Sequence, residues 1–522
     1  MPEKAENKRY NLKYIIIFAA AALFCGLYLL PPFNADIVNA DSTYQYFLTQ
    51  KEFPELLRLI PEDYSPPLYA VLLKLWTLAL GNSSIEAMRA FALIPLWGLL
   101  FLAAFPVRKA FGGKASVLCT VFYAMSSVNF IFVPETRPAT LAYFLITASA
   151  VYCYLAFFHG FRYAYVCFTV FSLLTMYTHN VGMLAVLSFY IIAVVMSAVR
   201  KDFRKSLKFI ISGAICAVAY IPWLLVVLHQ FSNVKNHFWS SPDISLTRIY
   251  DWTIGVSFND SGSYILSSII IPLAIAIAVI SLLFAKADRE TAKGLKSFKQ
   301  INELITSKFT EPYAKGVFLL LMYVCPILAL IIFCLVGQPV FVPRYCYILS
   351  GTALMVLAAF FSKLSGKGAV AALAGIMTVN FTLTTLHWKN ELDNSDFLGM
   401  IDMIKEENPD GDISFIHAHE WSVGIMMYYF PQAKHYLADD TWIVLVDYSL
   451  FPEEVYRIPA FDDVGDYEDE VYFFEWKVEN EEYVLSDVFC ENGGYDIVDI
   501  GTYKEPYTYQ QVWNLKKAVK SK

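Results

Sequence analysis

The sequence predicts a mainly α, polytopic membrane protein of about eleven transmembrane helices that carries a C-terminal extracytoplasmic α/β domain. Three observations predict it. The 522 residues are 57% hydrophobic and only 17% charged, against roughly 45–50% and 25% in soluble domains. The charge is divided along the chain. Residues 391–522 hold 29 Asp+Glu against 9 Lys+Arg, a net of −20, and residues 1–390 hold 18 against 31, a net of +13; the two give −7. Eleven apolar runs, at 12–30, 88–107, 114–133, 139–158, 162–178, 181–199, 207–228, 263–285, 315–336, 344–362 and 368–387, approach the ~20 residues that a helix needs to cross a bilayer.

The first run follows Lys4, Lys8, Arg9 and Lys13, which places the N-terminus in the cytoplasm. It is too long for an ordinary signal peptide, and Pro31-Pro32 follows it instead of a small-residue cleavage site. Arg108–Lys114, Arg200–Lys208, the basic 286–314 segment and Lys363–Lys367 then all fall on the cytoplasmic side if eleven helices cross. The stretch Pro66–Gly81 must not cross for this count to hold. It is short, opens on two prolines and carries Lys74 in its middle, so it reads as an interfacial or re-entrant helix within a large first outer loop, residues 31–87. Residues 1–390 form the transmembrane module and 391–522 the acidic domain.

In the acidic domain, 395–407 has helical spacing with Ser395 as its cap, and 421–430 is helical. Short strands are expected at 412–418, 441–446, 471–476, 495–503 and 508–515. This alternation favours an α/β layer. The acidic run 462–470 lacks the Gly and Glu positions of a calcium-binding hand loop and reads as solvated loop. Nine cysteines include no CxxC pair, and Cys490 is alone in the acidic domain, so they read as small buried hydrophobes. The acidic tail and the absence of a basic face exclude nucleic acid as a partner.

Charges on the outer side carry the candidate chemistry. They are Asp36 and Asp41 after the first helix, Glu62-Asp63 before Ser65-Pro66-Pro67-Leu68-Tyr69, Glu135 and Arg137 in VPETRPATLAYF, and Arg344-Tyr345 at the mouth of the tenth helix. Each alone reads equally as a loop charge or a helix-end anchor. Together they bring acids and arginines to one membrane face, a set that suits a hydroxyl attacking a phosphate-linked donor: the acid removes a proton and the arginine holds the departing phosphate. His179-Asn180 at the end of the fifth helix reads as a polar anchor. Trp239 reads as a member of the interfacial aromatic belt or as a platform for a sugar face.

The run from Asp41 through Glu62-Asp63, SPPLYAVLLKLW, GNSSIEAMRA and PETRPATLAYFL, with THN at 178–180, NHFWSSPDISL at 236–246 and PRY at 343–345, resembles the polyprenyl-phosphate-sugar-dependent membrane glycosyltransferases of the GT-C class. It is most similar to the branch of protein mannosyltransferases and lipopolysaccharide-core sugar transferases. The resemblance implies the GT-C fold and catalytic roles for Asp41, Asp63 and Glu135, with Asp41 as general base. It implies donor, phosphate or acceptor contacts for Arg344, Arg137, Tyr69, His237 and Trp239. Ser42 stands where members often carry Glu, Ser65 where the pattern has His, and Ala139 where it has Tyr. Arg89 matches an arginine that opens the second helix and reads first as a helix-end anchor. No cofactor is implied with certainty; a divalent metal is left open.

The implied function is inverting transfer of a sugar from a polyprenyl-phosphate carrier to an acceptor hydroxyl at the outer face of the cell membrane. The acceptor is a glycolipid, a polysaccharide or a protein, and membrane lipid is the surrounding partner. The alternatives are a transporter or flippase for a lipid-linked sugar, which calls for charges at mid-helix depth, and a non-catalytic scaffold that displays the acidic domain.

Overall fold

A computed structural model describes residues 2–34, 37–63, 65–126, 128–237, 244–250, 253, 311–336, 341–363, 367–410, 413–417, 419–438, 447–452, 454–458, 469–476, 486, 494–504 and 512–521. Among them, seven helices are long and apolar enough to cross a membrane: Leu12–Phe33, Ile85–Phe111, Ala139–His159, Asn180–Val199, Phe203–Gln230, Ala314–Val336 and Pro343–Phe361. At 1.5 Å per residue the shortest spans about 28 Å, close to the hydrocarbon thickness. Helix Phe203–His237 presents Ile211, Ile215, Val218 and Leu225 outward at half exposure or more. That pattern suits lipid and not water. The chain is a multi-pass membrane protein with a helical membrane part and a C-terminal sheet domain.

The other expected runs fare differently. Run 162–178 becomes the shorter helix Arg162–Met176, and run 368–387 lies inside helix Lys367–Asp393. Run 263–285 and most of the basic segment lie outside the described residues. Run 114–133 is not one helix. Gly113–Ala124 stops at Met125, and a separate turn, Asn129–Phe132, follows. The buried Asn129 amide donates to the Tyr123 carbonyl at 2.9 Å, so a side chain replaces the backbone bond that a continuous helix would have made. Pro66–Gly81 holds a short apolar helix. It forms helix Leu68–Leu80, stopped by Gly81 in the left-handed region at φ 60°. Thirteen residues reach only about 20 Å.

The C-terminal domain holds six strands: β1 Ser414–His417, β2 Lys434–Ala438, β3 Val455–Ile458, β4 Glu470–Trp476, β5 Tyr495–Lys504 and β6 Val512–Lys520. Their order is β3-β2-β1-β4-β6-β5. The first four are parallel, with Phe415 opposite both His435 and Tyr472, and β6 and β5 add antiparallel. All four residues of β1 are buried, as in a central strand covered on both faces. Helix Asp396–Glu407 is capped by Ser395 and buries Phe397, Met400, Ile401 and Ile404; helix Glu420–Tyr429 follows β1.

Strands β2 and β3 were not expected from sequence, because KHYLA and VYRI place charged residues in runs of only five and four. β6 extends beyond the expected 508–515 because its lysines find partners: Lys517 pairs with Glu470 at 2.8 Å across the ladder. The expected strand 441–446 and nearly all of the acidic run 462–470 lie outside the described residues.

The sheet domain docks on the first loop. Val38, Tyr69, Met88, Leu141 and Leu145 share one hydrophobic cluster with Phe397, Met400, Ile425, Tyr429 and Trp513. Phe47, Leu48, Leu59 and Tyr220 share another with Val423, Met427, Leu437 and Phe451. At the rim, Arg58 reaches Asp447 at 2.6 Å and Lys51 donates to the Ser449 carbonyl at 2.7 Å.

A buried polar chain joins β1 and β2. Ser422 Oγ donates to the His419 carbonyl at 2.7 Å, His417 Nδ1 lies 2.8 Å from that hydroxyl, and His417 Nε2 lies 3.0 Å from His435 Nδ1. Burial, with His435 beside it, holds His417 well below the usual imidazole range. Burial, partly offset by the Phe430 carbonyl, brings His435 down to about 4. A depressed imidazole gives stability that is present above its ordinary value near 6.5 and lost as pH falls through the folded value. The thermal stability of the purified protein should therefore fall between pH 6.5 and 4, and His435→Gln should flatten that slope. A slope equal in the two proteins would contradict the account.

Candidate functional site

The site is built on short elements at the ends of the apolar helices. Asn39 caps helix Ala40–Gln50, its side-chain oxygen accepting the Ser42 N–H at 2.8 Å. This puts Asp41 in the first turn, where the helix dipole favours a negative charge. At the other end of that helix, buried Lys74 donates to the Thr49 carbonyl at 2.8 Å, the favourable place for a cation. Glu135 and Arg137 sit in the turn that precedes helix Ala139–Tyr154. Arg344 occupies the first turn of helix Pro343–Phe361, behind a proline suited to that position.

These four residues meet. Arg137 Nη2 lies 3.2 Å from Asp41 Oδ1, and Arg344 Nη1 lies 2.5 Å from Asp41 Oδ2. Arg344 Nε lies 3.3 Å from Glu135 Oε2. The environments of the two acids differ. The Asp41 side chain keeps 29% of its surface exposed and that of Glu135 only 4%. Burial tends to raise Asp41, but the Arg137 and Arg344 charges outweigh it and hold the carboxyl below its ordinary value. For Glu135, burial wins. It pushes the carboxyl up to about 7 against the pull of Arg344, with the Asp41 charge adding to the rise and Arg137 opposing it. One face thus holds a permanent carboxylate, a carboxyl that titrates near neutrality, and two guanidiniums.

His179 borders the cluster without joining it. Its Nδ1 accepts the Val181 N–H at 3.1 Å as the cap of helix Asn180–Val199, and its ring meets the Tyr345 ring edge-on at 5.0 Å. Burial and the charges of Arg344 and Arg137 take it down to about 3, so it is neutral. This is the polar anchor that its sequence position suggested.

Tyr69 is 4% exposed and packs its ring on Phe91 at 5.9 Å, in the core between the first loop and the sheet domain. Asp63 ends the 3₁₀ turn Ile60–Asp63 and His237 ends helix Phe203–His237; the side chains of both, and all of Trp239 and Asp36, lie outside the described residues. Glu62 is exposed. Among the described residues, no three His, Cys, Asp or Glu side chains gather as a metal-ligand set. Asp41 and Glu135 are both engaged by Arg344, which a cation bound there would have to displace.

Sequence reasoning missed what holds Asp41 in place. Arg89, whose sequence position reads first as a helix-end anchor, is 3% exposed, and its guanidinium donates to the carbonyls of Phe33, at 3.2 Å, and Ile37. The Tyr429 hydroxyl accepts the Val38 N–H at 3.1 Å. The Asn39 cap was readable, since Asn followed by an acid at the second helical position is a common helix start. Nothing in the sequence pairs residue 38 with residue 429.

No protein-family model matches the chain, and no curated protein matches it. Solved structures do. ArnT from Cupriavidus metallidurans, bound to undecaprenyl phosphate, aligns with a TM-score of 0.58 at 10% identity, covering 96% of this chain and 98% of that one. An oligosaccharyltransferase from Archaeoglobus fulgidus, tethered with an acceptor peptide, aligns more loosely, with a TM-score of 0.46 at 13% identity over 94% of this chain and 69% of that chain. The ArnT alignment runs through the membrane part and the C-terminal domain alike, and establishes the GT-C fold for this chain.

Glu135 gives the cluster a measurable signature. A carboxyl raised from its ordinary value to about 7 contributes stability that is full at acidic pH and lost as pH rises through 7. A tenfold change in proton affinity is worth about 1.4 kcal/mol. Glu135→Gln should therefore unfold at a higher temperature relative to wild type at pH 8 than at pH 5. A difference independent of pH would show that Glu135 titrates in its ordinary range.

Proposed function

We propose that this chain transfers a sugar from a polyprenyl-phosphate carrier to an acceptor hydroxyl at the outer face of the membrane. The observation that carries the reading is the convergence of Asp41, Glu135, Arg137 and Arg344 at the mouth of an apolar helical body of GT-C fold. A lipid phosphate whose tail stays in the bilayer would reach two guanidiniums there, and guanidinium forks suit phosphate oxygens. The ArnT structure, bound to undecaprenyl phosphate, supports the same class of carrier. The sheet domain, which follows the last apolar run, lies outside the cytoplasm in this reading.

The ion pairs suggest the order of events. Arg344 and Arg137 hold Asp41 until the carrier phosphate arrives. Its oxygens then compete for the guanidiniums and release the carboxylate to face the acceptor. The acceptor oxygen attacks the anomeric carbon from the side opposite the phosphate, its proton passes to Asp41, and the bond from the anomeric carbon to the phosphate oxygen breaks. The electron pair stays on that oxygen between the two arginines, and the configuration inverts. Stabilising the leaving phosphate demands the fixed positive charge. Glu135, gripping the Arg344 Nε, orients the fork, and its protonation near neutrality raises the net charge of the cluster when an anion must be accommodated. Asp63, Tyr69, His237 and Trp239 remain proposed sugar or acceptor contacts from the sequence resemblance alone.

Purified protein given a radiolabelled polyprenyl-phosphate sugar and membrane-derived acceptors tests the reaction. Asp41→Asn should fold and lose transfer by about 10²–10⁴-fold, the usual cost of removing a general base. Arg344→Lys should lose transfer in kcat as well as donor KM, because a point charge replaces a fork poorly and the contact strengthens as the phosphate departs; Arg344→Ala should lose more. Wild-type kinetics in the Asn or Lys variant would remove the role from that residue. For the topology, cysteines introduced within 395–404 should react only with reagent added outside intact cells. Labelling from inside alone would reverse the orientation.

A further inference from the structure

We infer that Tyr429 of the C-terminal domain is a positioning residue for Asp41, and that with Arg89 it clamps the linker that sets the register of the Asp41 helix. The inference rests on the reading of Asp41 as the base. The geometry is a sequence of grips on three successive residues. The Ile37 carbonyl accepts from Arg89, the Val38 N–H donates to the Tyr429 hydroxyl at 3.1 Å, and the Asn39 side chain caps the helix at 2.8 Å. All three linker residues are buried, Val38 at 1% exposure, so their backbone groups depend on such partners in place of water.

Arg89 comes from the membrane part and Tyr429 from the soluble domain, so the linker is gripped from both bodies. Asp41 begins two residues after this linker ends. Helix Glu420–Tyr429, which carries Tyr429, also lies against helix Ala40–Gln50 closely enough that a Cβ on Gly424 would come within 2.8 Å of Thr43 Oγ1. Tyr428 meets Tyr46 edge-on at 5.2 Å. The soluble domain therefore works as a template against which the catalytic carboxylate is placed. A shift of the linker moves Asp41 relative to Arg344 and Arg137, while the arginines, on other elements, stay where they are. Such a displacement costs catalysis more than donor binding.

Tyr429→Phe removes the acceptor and keeps the ring. Hydrogen exchange read by mass spectrometry should show amides 37–45 exchanging at least about ten-fold faster, because the bond that must open is gone, while Ala139–His159 is unchanged. In sugar transfer, kcat should fall roughly ten-fold with donor KM within about two-fold. Gly424→Ala should reproduce the kcat loss by pressing on Thr43, and Gly424→Ala with Thr43→Ala should restore it. Unchanged exchange at 37–45, or unchanged kcat, overturns the inference. So does a kcat loss accompanied by faster exchange throughout the membrane helices, which would mark general destabilisation. If the wild-type protein transfers no sugar, the proposed reaction fails, and the exchange result alone decides whether the clamp exists.

Discussion

Asp41 and Arg344 pair where water meets the apolar body, and the elements around them hold that pair in place. A carboxylate and two guanidiniums gathered at the edge of a low-dielectric interior are costly unless they satisfy one another. Here Arg344 serves both Asp41 and Glu135, and Arg137 serves Asp41 from the other side. The set is balanced when Glu135 is ionised and carries one net positive charge when it is protonated. An anion entering the site meets a cluster that can compensate its charge by one proton.

Holding that cluster together explains much of the surrounding architecture. Arg344 and Arg137 stand at helix mouths, where proline and the preceding turn set the first residues. Asp41 has no long helix beneath it. It sits on an eleven-residue helix in a loop, and that helix is secured by Asn39 at its start, Lys74 at its end and the sheet domain along its side. The sheet domain shares hydrophobic clusters with the first loop. It is therefore part of the body that fixes the carboxylate.

The apolar helices were legible because a bilayer demands long uninterrupted runs, and the four site residues were legible because charges at the ends of such runs are conspicuous. What the sequence hid follows from distance and size. No local pattern links Asp41 to Arg344 or Val38 to Tyr429, which meet only through tertiary packing. Strands β2 and β3 are too short and too charged to show alternation; β2 pairs on β1 and β3 on β2, so their place in the sheet comes from their neighbours, not from their own composition. The run 114–133 looked like one span because hydropathy does not register that Asn129 can turn back on the Tyr123 carbonyl. The packing of Tyr69 against Phe91 is likewise invisible to a local motif.

In the proposed reaction the two arginines receive the carrier phosphate in place of Asp41. A density map of the protein in lipid nanodiscs with a polyprenyl phosphate tests it most directly. The phosphate should lie within hydrogen-bond reach of Arg344 and Arg137, with the Asp41 carboxylate released from Arg344 and Glu135 still at its Nε. A phosphate bound elsewhere, with the Asp41–Arg344 pair intact, would contradict it.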